Sequence, residues 1–247
     1  MFPTLFDVID THFFTACIKA DKPVRFVKFG DGEFACAAGQ QGENCDGDQY
    51  FPELGDGLRR AFCDLAVTPN CYIGRWHLKD RYVSDFFEKV FNTNTQKSTE
   101  LIPWVNYHCL LKDEERSHRQ DMFYLVKAIQ ESPRKKIYVC NESNARLCRV
   151  FGATHVAIPP RCWITEYESV LKQILAACEP NSIVMFSAGL CTKVAVANLL
   201  QMIPTLTCLD FGSSFDLLAR GKSTRSYQGS YETEKAYYKD LLPADWV

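Results

Sequence analysis

Apolar residues recur along this chain in two alternating rhythms. Between residues 4 and 19, Leu5, Phe6, Ile9, Phe13, Cys17 and Ile18 are spaced for one face of an amphipathic helix. After the turn Asp21-Lys22-Pro23, the apolar run Val24 to Phe29 reads as a buried strand. Helices are predicted near 52–66, over 81–91 and near 114–131, with a short strand from Cys71 to Gly74. Residues 39–50, rich in Gly, Gln, Asn and Asp, read as a flexible loop, and the polar stretch 92–100 as a surface loop.

The second half alternates more regularly. Strands are predicted at Ile137 to Cys140, Val156 to Ile158, Ile183 to Phe186 and Leu206 to Leu209. Between them lie helices at 143–151, from Thr165 to about Cys178, and from Leu190 to Met202. Thr165-Glu166-Tyr167-Glu168 has the pattern of a capping box. Short apolar strands alternating with helices predict an α/β fold, a Rossmann-like mostly parallel sheet with helices on both faces. Such sheets bind ligands at the carboxyl ends of their strands. The tail after Gly221 is polar and aromatic and predicts no element.

Composition narrows the class without naming a chemistry. A length of 247 residues suits a single domain over 1–247, and is compatible with one unit of a larger multi-domain protein. The net charge of −2 sets up no field that would draw in nucleic acid or an anionic membrane. No apolar run approaches the ~20 residues of a membrane span. Met1 to Asp10 lacks the basic start and apolar stretch of a signal peptide. The twelve cysteines include no C-x-x-C pair, so zinc-knuckle and dithiol spacings are missing. Cys140, Cys191 and Cys208 sit in apolar runs as small hydrophobes. Mostly free thiols and a cytoplasmic location are expected.

The richest chemistry lies at Lys28-Phe29-Gly30-Asp31-Gly32-Glu33. Residues i and i+2 of a strand or open turn point to one side, so Asp31 and Glu33 are expected to converge beyond the strand. Paired hard oxygens there suit Mg²⁺ or Mn²⁺ with a substrate phosphate, and Lys28 is a phosphate partner beside them. Gly30 and Gly32 permit close backbone approach; the alternative is a turn with solvated acids. Ser187-Ala188-Gly189-Leu190-Cys191-Thr192-Lys193 joins a strand to a helix, where backbone amides form an anion site. It lacks the Walker A and G-x-G-x-x-G spacings, and a plain helix cap is its bland reading. Asp210 ends the last strand and is a candidate acid, with capping by Ser213 or Ser214 as the alternative. Asn141-Glu142-Ser143-Asn144 holds the same topological position after its strand. Of the five histidines, only His77, in Arg75-Trp76-His77, suggests a platform for a base or sugar. No G-x-S-x-G elbow appears.

Together these segments resemble the glycosyltransferase family of the GT-D fold, first catalogued as a domain of unknown function. The likeness rests on KFGDGE (28–33), IVMFSAGLCTKVAVANLL (183–200) and LDFG (209–212), in that order, and spans roughly residues 5–220. It implies a metal-dependent glycosyltransferase that moves a sugar from a UDP-sugar to a glycan hydroxyl. Asp31 and Glu33 would then hold Mn²⁺ or Mg²⁺ and act at the reacting centre. Lys28, Gly30, Gly32, Ser187, Gly189, Leu190, Cys191 and Lys193 would bind the nucleotide-sugar. The family carries Arg where this chain has Lys28, and Lys cannot make Arg's bidentate fork. Asp210, and after it Asp216, are the candidate general bases, and the loop 39–50 a cover for the donor. UDP-glucose, UDP-galactose and a deoxysugar such as UDP-rhamnose all remain open as donor. The same acids would also suit another Mg²⁺-dependent nucleotide-processing enzyme, a phosphatase or nucleotidyltransferase, or a non-catalytic nucleotide-binding module.

Overall fold

Seven short strands, most of them apolar, lie side by side in one parallel sheet. A computed structural model describes residues 9–75, 81–91, 102, 104–107, 110, 116–222 and 229–246. The strands are β1 (Arg25–Phe29), β2 (Cys71–Arg75), β3 (Trp104–Asn106), β4 (Lys136–Cys140), β5 (Thr154–Ala157), β6 (Ile183–Ser187) and β7 (Thr207–Asp210). Their order is β3-β2-β1-β7-β6-β4-β5, and every pairing is parallel. The expected α/β architecture is therefore present.

The helices are α1 (Thr11–Lys19), α2 (Asp31–Ala37), α3 (Pro52–Val67), α4 (Arg81–Phe91), α5 (Arg116–Glu131), α6 (Leu147–Phe151), α7 (Tyr167–Ala177), α8 (Thr192–Met202), α9 (Asp216–Arg220) and α10 (Tyr231–Tyr238). Strand residues alternate between two cores. Val27, Phe29, Ile137, Val139, Val184 and Phe186 join one layer with α2, α3, α4, α7 and α8. Phe26, Tyr138, Cys140, Ile183, Met185 and Leu209 join the other with α1, α5, α6, α9 and α10. Parallel strands buried on both faces read as continuous apolar runs, which is why the sequence betrays them.

This winding sets the crevice. The chain leaves β1 into α2 on the first face and leaves β7 into α9 on the second. Because β1 and β7 are neighbours, their connections part at the carboxyl ends of these strands. Such a switch point is where open α/β sheets bind ligands.

Several expected elements are modified. The helix at 143–151 is a 3-10 turn, Glu142–Asn144, followed by the short α6. The capping box at Thr165 does not form: Thr165 Oγ1 donates to the Cys162 carbonyl, and α7 begins at Tyr167 after a 3-10 turn, Trp163–Glu166. Strand β3 has no sequence forecast, and the tail contributes α10, with Tyr238 and Trp246 buried in the second core. Residues 4–8 of the first helix, the loop 92–100, Trp76 and His77 lie outside the described residues.

Candidate active site

The β1–α2 junction is where the sequence expectation changes most. Asp31 opens helix α2, with extended Gly30 as its N-cap. Residues i and i+2 of a helix lie about 200° apart around the axis, not on one side. The two carboxylates accordingly take different partners. Glu33 turns back so that its Oε2 accepts from the Gly30 amide at 2.9 Å, one half of a capping box. Asp31 is exposed, and its Oδ1 accepts from the Gly32 amide at 2.9 Å. Phe34, wedged edge-on among Phe62 and Phe86, anchors the helix and so fixes where Glu33 stands.

What converges instead is Glu33, Lys193 and Asp210, with Lys28 alongside. Lys193 Nζ lies 2.5 Å from Glu33 Oε1 and 3.0 Å from Asp210 Oδ2. It also approaches the Gly189 carbonyl at 3.4 Å. Its side chain is 4% exposed and that of Asp210 1%, so the ion pair is sealed from water. Burial opposes the ammonium charge, but the Asp210 and Glu33 carboxylates outweigh it and hold Lys193 protonated above its ordinary range. Asp210 Oδ2 also accepts from the Lys28 amide at 3.1 Å, and its Oδ1 from the Gly212 amide at 3.1 Å. Lys28 Nζ donates to the Phe211 carbonyl at 2.8 Å and lies 5.8 Å from the Tyr107 ring centre.

Two glycines are required by this packing. Gly212 has φ +52, and a Cβ there would collide with Lys28 Nζ. Gly189 has φ +62, and a Cβ there would come 2.6 Å from Asp48 Oδ2. Asp48, which the sequence reading did not single out, is a buried carboxylate laid across the Ser187–Cys191 turn. Its Oδ1 accepts from the Cys162 amide at 2.8 Å and its Oδ2 from Asn44 Nδ2 at 3.2 Å. Asn44 Oδ1 accepts from the amides of Asp46 and Asp48. The 39–50 loop is thus already seated on the glycine turn. The only local hint was the Asn44-to-Asp48 spacing of an Asx-type turn.

The other candidates divide. Among the described residues no group accepts from the amides of Gly189, Leu190 or Cys191, and the buried Thr192 Oγ1 has no partner. Burial, and then Asp48, raise the Cys191 thiol, so it is no nucleophile. Ser187 Oγ bonds Tyr138 Oη at 2.8 Å. Ser214 does not cap α9: its hydroxyl lies 2.6 Å from both the Phe211 and the Leu110 carbonyl, between which its single proton is shared. Asp216 accepts from Asn144 Nδ2 at 3.0 Å and pairs with Arg220. Asn144 therefore braces α9.

The donor set does not fit a divalent ion shared by Asp31 and Glu33. Both Glu33 oxygens and both Asp210 oxygens already hold N–H donors. Among the described residues no group of three or more His, Cys, Asp or Glu is arranged to hold a metal.

No protein-family model matches this sequence, and no curated protein matches it. Two solved structures do. One is described as the selenomethionine-substituted structure of domain of unknown function 1792. It aligns with a TM-score of 0.58 at 16% identity, over 95% of this chain and 89% of its own. The other is described as showing that the highly conserved domain of unknown function 1792 has a distinct glycosyltransferase fold. It aligns with a TM-score of 0.60 at 16% identity and the same coverage. The resemblance read from the three sequence segments holds at the level of architecture: this chain has the fold of domain of unknown function 1792, described as a distinct glycosyltransferase fold.

Proposed function

We propose that this protein is a glycosyltransferase that moves a sugar from a UDP-sugar to a hydroxyl acceptor. The observation that carries the reading is the meeting of Lys28, Glu33, Lys193 and Asp210 at the switch point between β1 and β7. Its support is the shared fold together with amides at the start of α8, an eleven-residue helix whose N-terminal dipole favours a diphosphate.

In this reading the diphosphate lies against the Gly189–Leu190–Cys191 amides and Lys28. Donors fixed before the reaction stabilise the charge that grows as the bond from the anomeric carbon to the diphosphate oxygen breaks. The acceptor oxygen forms the new bond to that carbon, and its proton passes to a carboxylate. Asp210 and Asp216, favoured from the sequence, have both oxygens engaged by donors. Asp31 is an exposed carboxylate at this edge and takes that role.

UDP titration by calorimetry, followed by a donor screen scored as released UDP, tests the reading. Wild type is expected to bind UDP and turn over one donor. Asp31→Ala, an exposed change costing under about 0.5 kcal/mol of stability, should keep UDP binding and lose transfer. Normal turnover by that variant removes Asp31 from the chemistry. Absence of UDP binding removes the transferase reading.

A further inference from the structure

Lys193 does here what a bound cation does in other sites. Its ammonium gathers three acceptors from three separate segments: Glu33 at the start of α2, the Gly189 carbonyl in the β6–α8 turn, and Asp210 at the end of β7. A divalent ion ties loops together in the same way, through oxygens at about 2.0–2.2 Å. The positions are exclusive. For Mg²⁺ or Mn²⁺ to take Glu33 Oε1 or Asp210 Oδ2, the 4% exposed ammonium would have to give up a counter-charge without water to replace it. The remaining oxygens, Glu33 Oε2 and Asp210 Oδ1, are held by the Gly30 and Gly212 amides. The Lys28 ammonium, which a Cβ on Gly212 would strike, adds a second positive charge beside Asp210.

We propose that the Lys193 ammonium is the resident cation of this site, so that the crevice binds a nucleoside diphosphate without a divalent metal. The inference rests on reading the crevice as a nucleotide-sugar site. Lys193 is then a positioning residue. It holds the Gly189 turn and the β7 end in the arrangement against which the diphosphate lies.

The test is calorimetric titration of UDP into the full chain, in EDTA and in Mn²⁺. It is paired with thermal unfolding with and without Mn²⁺ in the absence of nucleotide, on wild type and Lys193→Ala. Wild type should bind UDP with equal affinity, within about twofold, in EDTA and in Mn²⁺. Mn²⁺ should leave its melting temperature unmoved. Lys193→Ala should bind UDP about tenfold or more weakly in EDTA. Its melting temperature should rise by about 2–4 °C in Mn²⁺, because Glu33, Asp210 and the Gly189 carbonyl are then open to the ion. A residue that merely filled space would show no such rescue. UDP binding by wild type only in Mn²⁺, or wild-type melting raised by Mn²⁺, overturns the proposal. Should Lys193→Ala fail to fold, those wild-type measurements decide alone. Wild type that binds no UDP in either buffer overturns the nucleotide reading and the proposal built on it. Mn²⁺-dependent binding overturns the resident cation and leaves the nucleotide reading standing.

Discussion

At the residue scale, the site depends on side chains whose roles are set by what crowds them. Gly212 is the sharpest case, because it combines a left-handed backbone with the absence of a Cβ beside Lys28. Gly39 is also left-handed, at φ +77, but nothing lies within 4 Å of where its Cβ would be. Gly39→Ala should therefore cost only the left-handed strain, about 1–2 kcal/mol. Gly212→Ala should cost more, about 2–4 kcal/mol, because it also displaces a 4% exposed ammonium. Urea unfolding of the two variants measures the difference, and equal losses would show that Lys28 moves aside freely. The glycines and the acids were legible in the chain. Which acid would pair with Lys193 was not, since Glu33 and Asp210 are 160 and 17 residues away from it, respectively, in sequence.

At the element scale, one helix start decides the site. Read as an extended turn, Asp31 and Glu33 share a side; read as the first turn of α2, they part. Glu33 then serves two masters, the Gly30 amide and Lys193. Glu33→Gln can keep the cap bond to Gly30 while losing the charge, whereas Glu33→Ala loses both. Chemical denaturation should rank wild type above Glu33→Gln above Glu33→Ala, with the second step about 1 kcal/mol, the worth of a cap. Identical losses for the two variants would mean that the cap contributes nothing. The Gly-Asp-Gly-Glu segment contains the Glu at N3 that marks a helix start, but the glycine at N-cap hid it. At Thr165 the pattern misled in the opposite direction, because a 3-10 turn intervened and the hydroxyl found a nearer carbonyl.

At the scale of the whole molecule, the two cores bury the thiols of Cys36, Cys71, Cys140, Cys191 and Cys208. Every described cysteine is a free thiol. Burial pushes the thiols of Cys36 and Cys71 up to about 12 and that of Cys178 up to about 11, from 9.0. A pKa raised in the folded state contributes stability that is complete below the unfolded value. It is lost as pH rises, because the unfolded chain releases protons that the folded chain keeps. Stability should therefore fall between about pH 9 and pH 12, under reducing conditions. Urea midpoints taken along that range check this, and Cys71→Ala should flatten the fall. An unchanged slope in that variant would show that the Cys71 thiol does not contribute to it.

The sequence by itself determined the α/β class, the alternation of most strands and helices along the chain, and the segments that gather at the carboxyl ends of β1, β6 and β7. It could do so because both faces of a parallel sheet are buried, so most strands are written as apolar runs, while the three-residue β3 is too short to leave such a run. Only the tertiary structure decided which charges meet. Lys193 reaches Glu33 and Asp210 because β6 carries α8 onto the same face as α2, while β7 lies beside β1. That encounter is a long-range property of the strand order β3-β2-β1-β7-β6-β4-β5, and no local pattern encodes it.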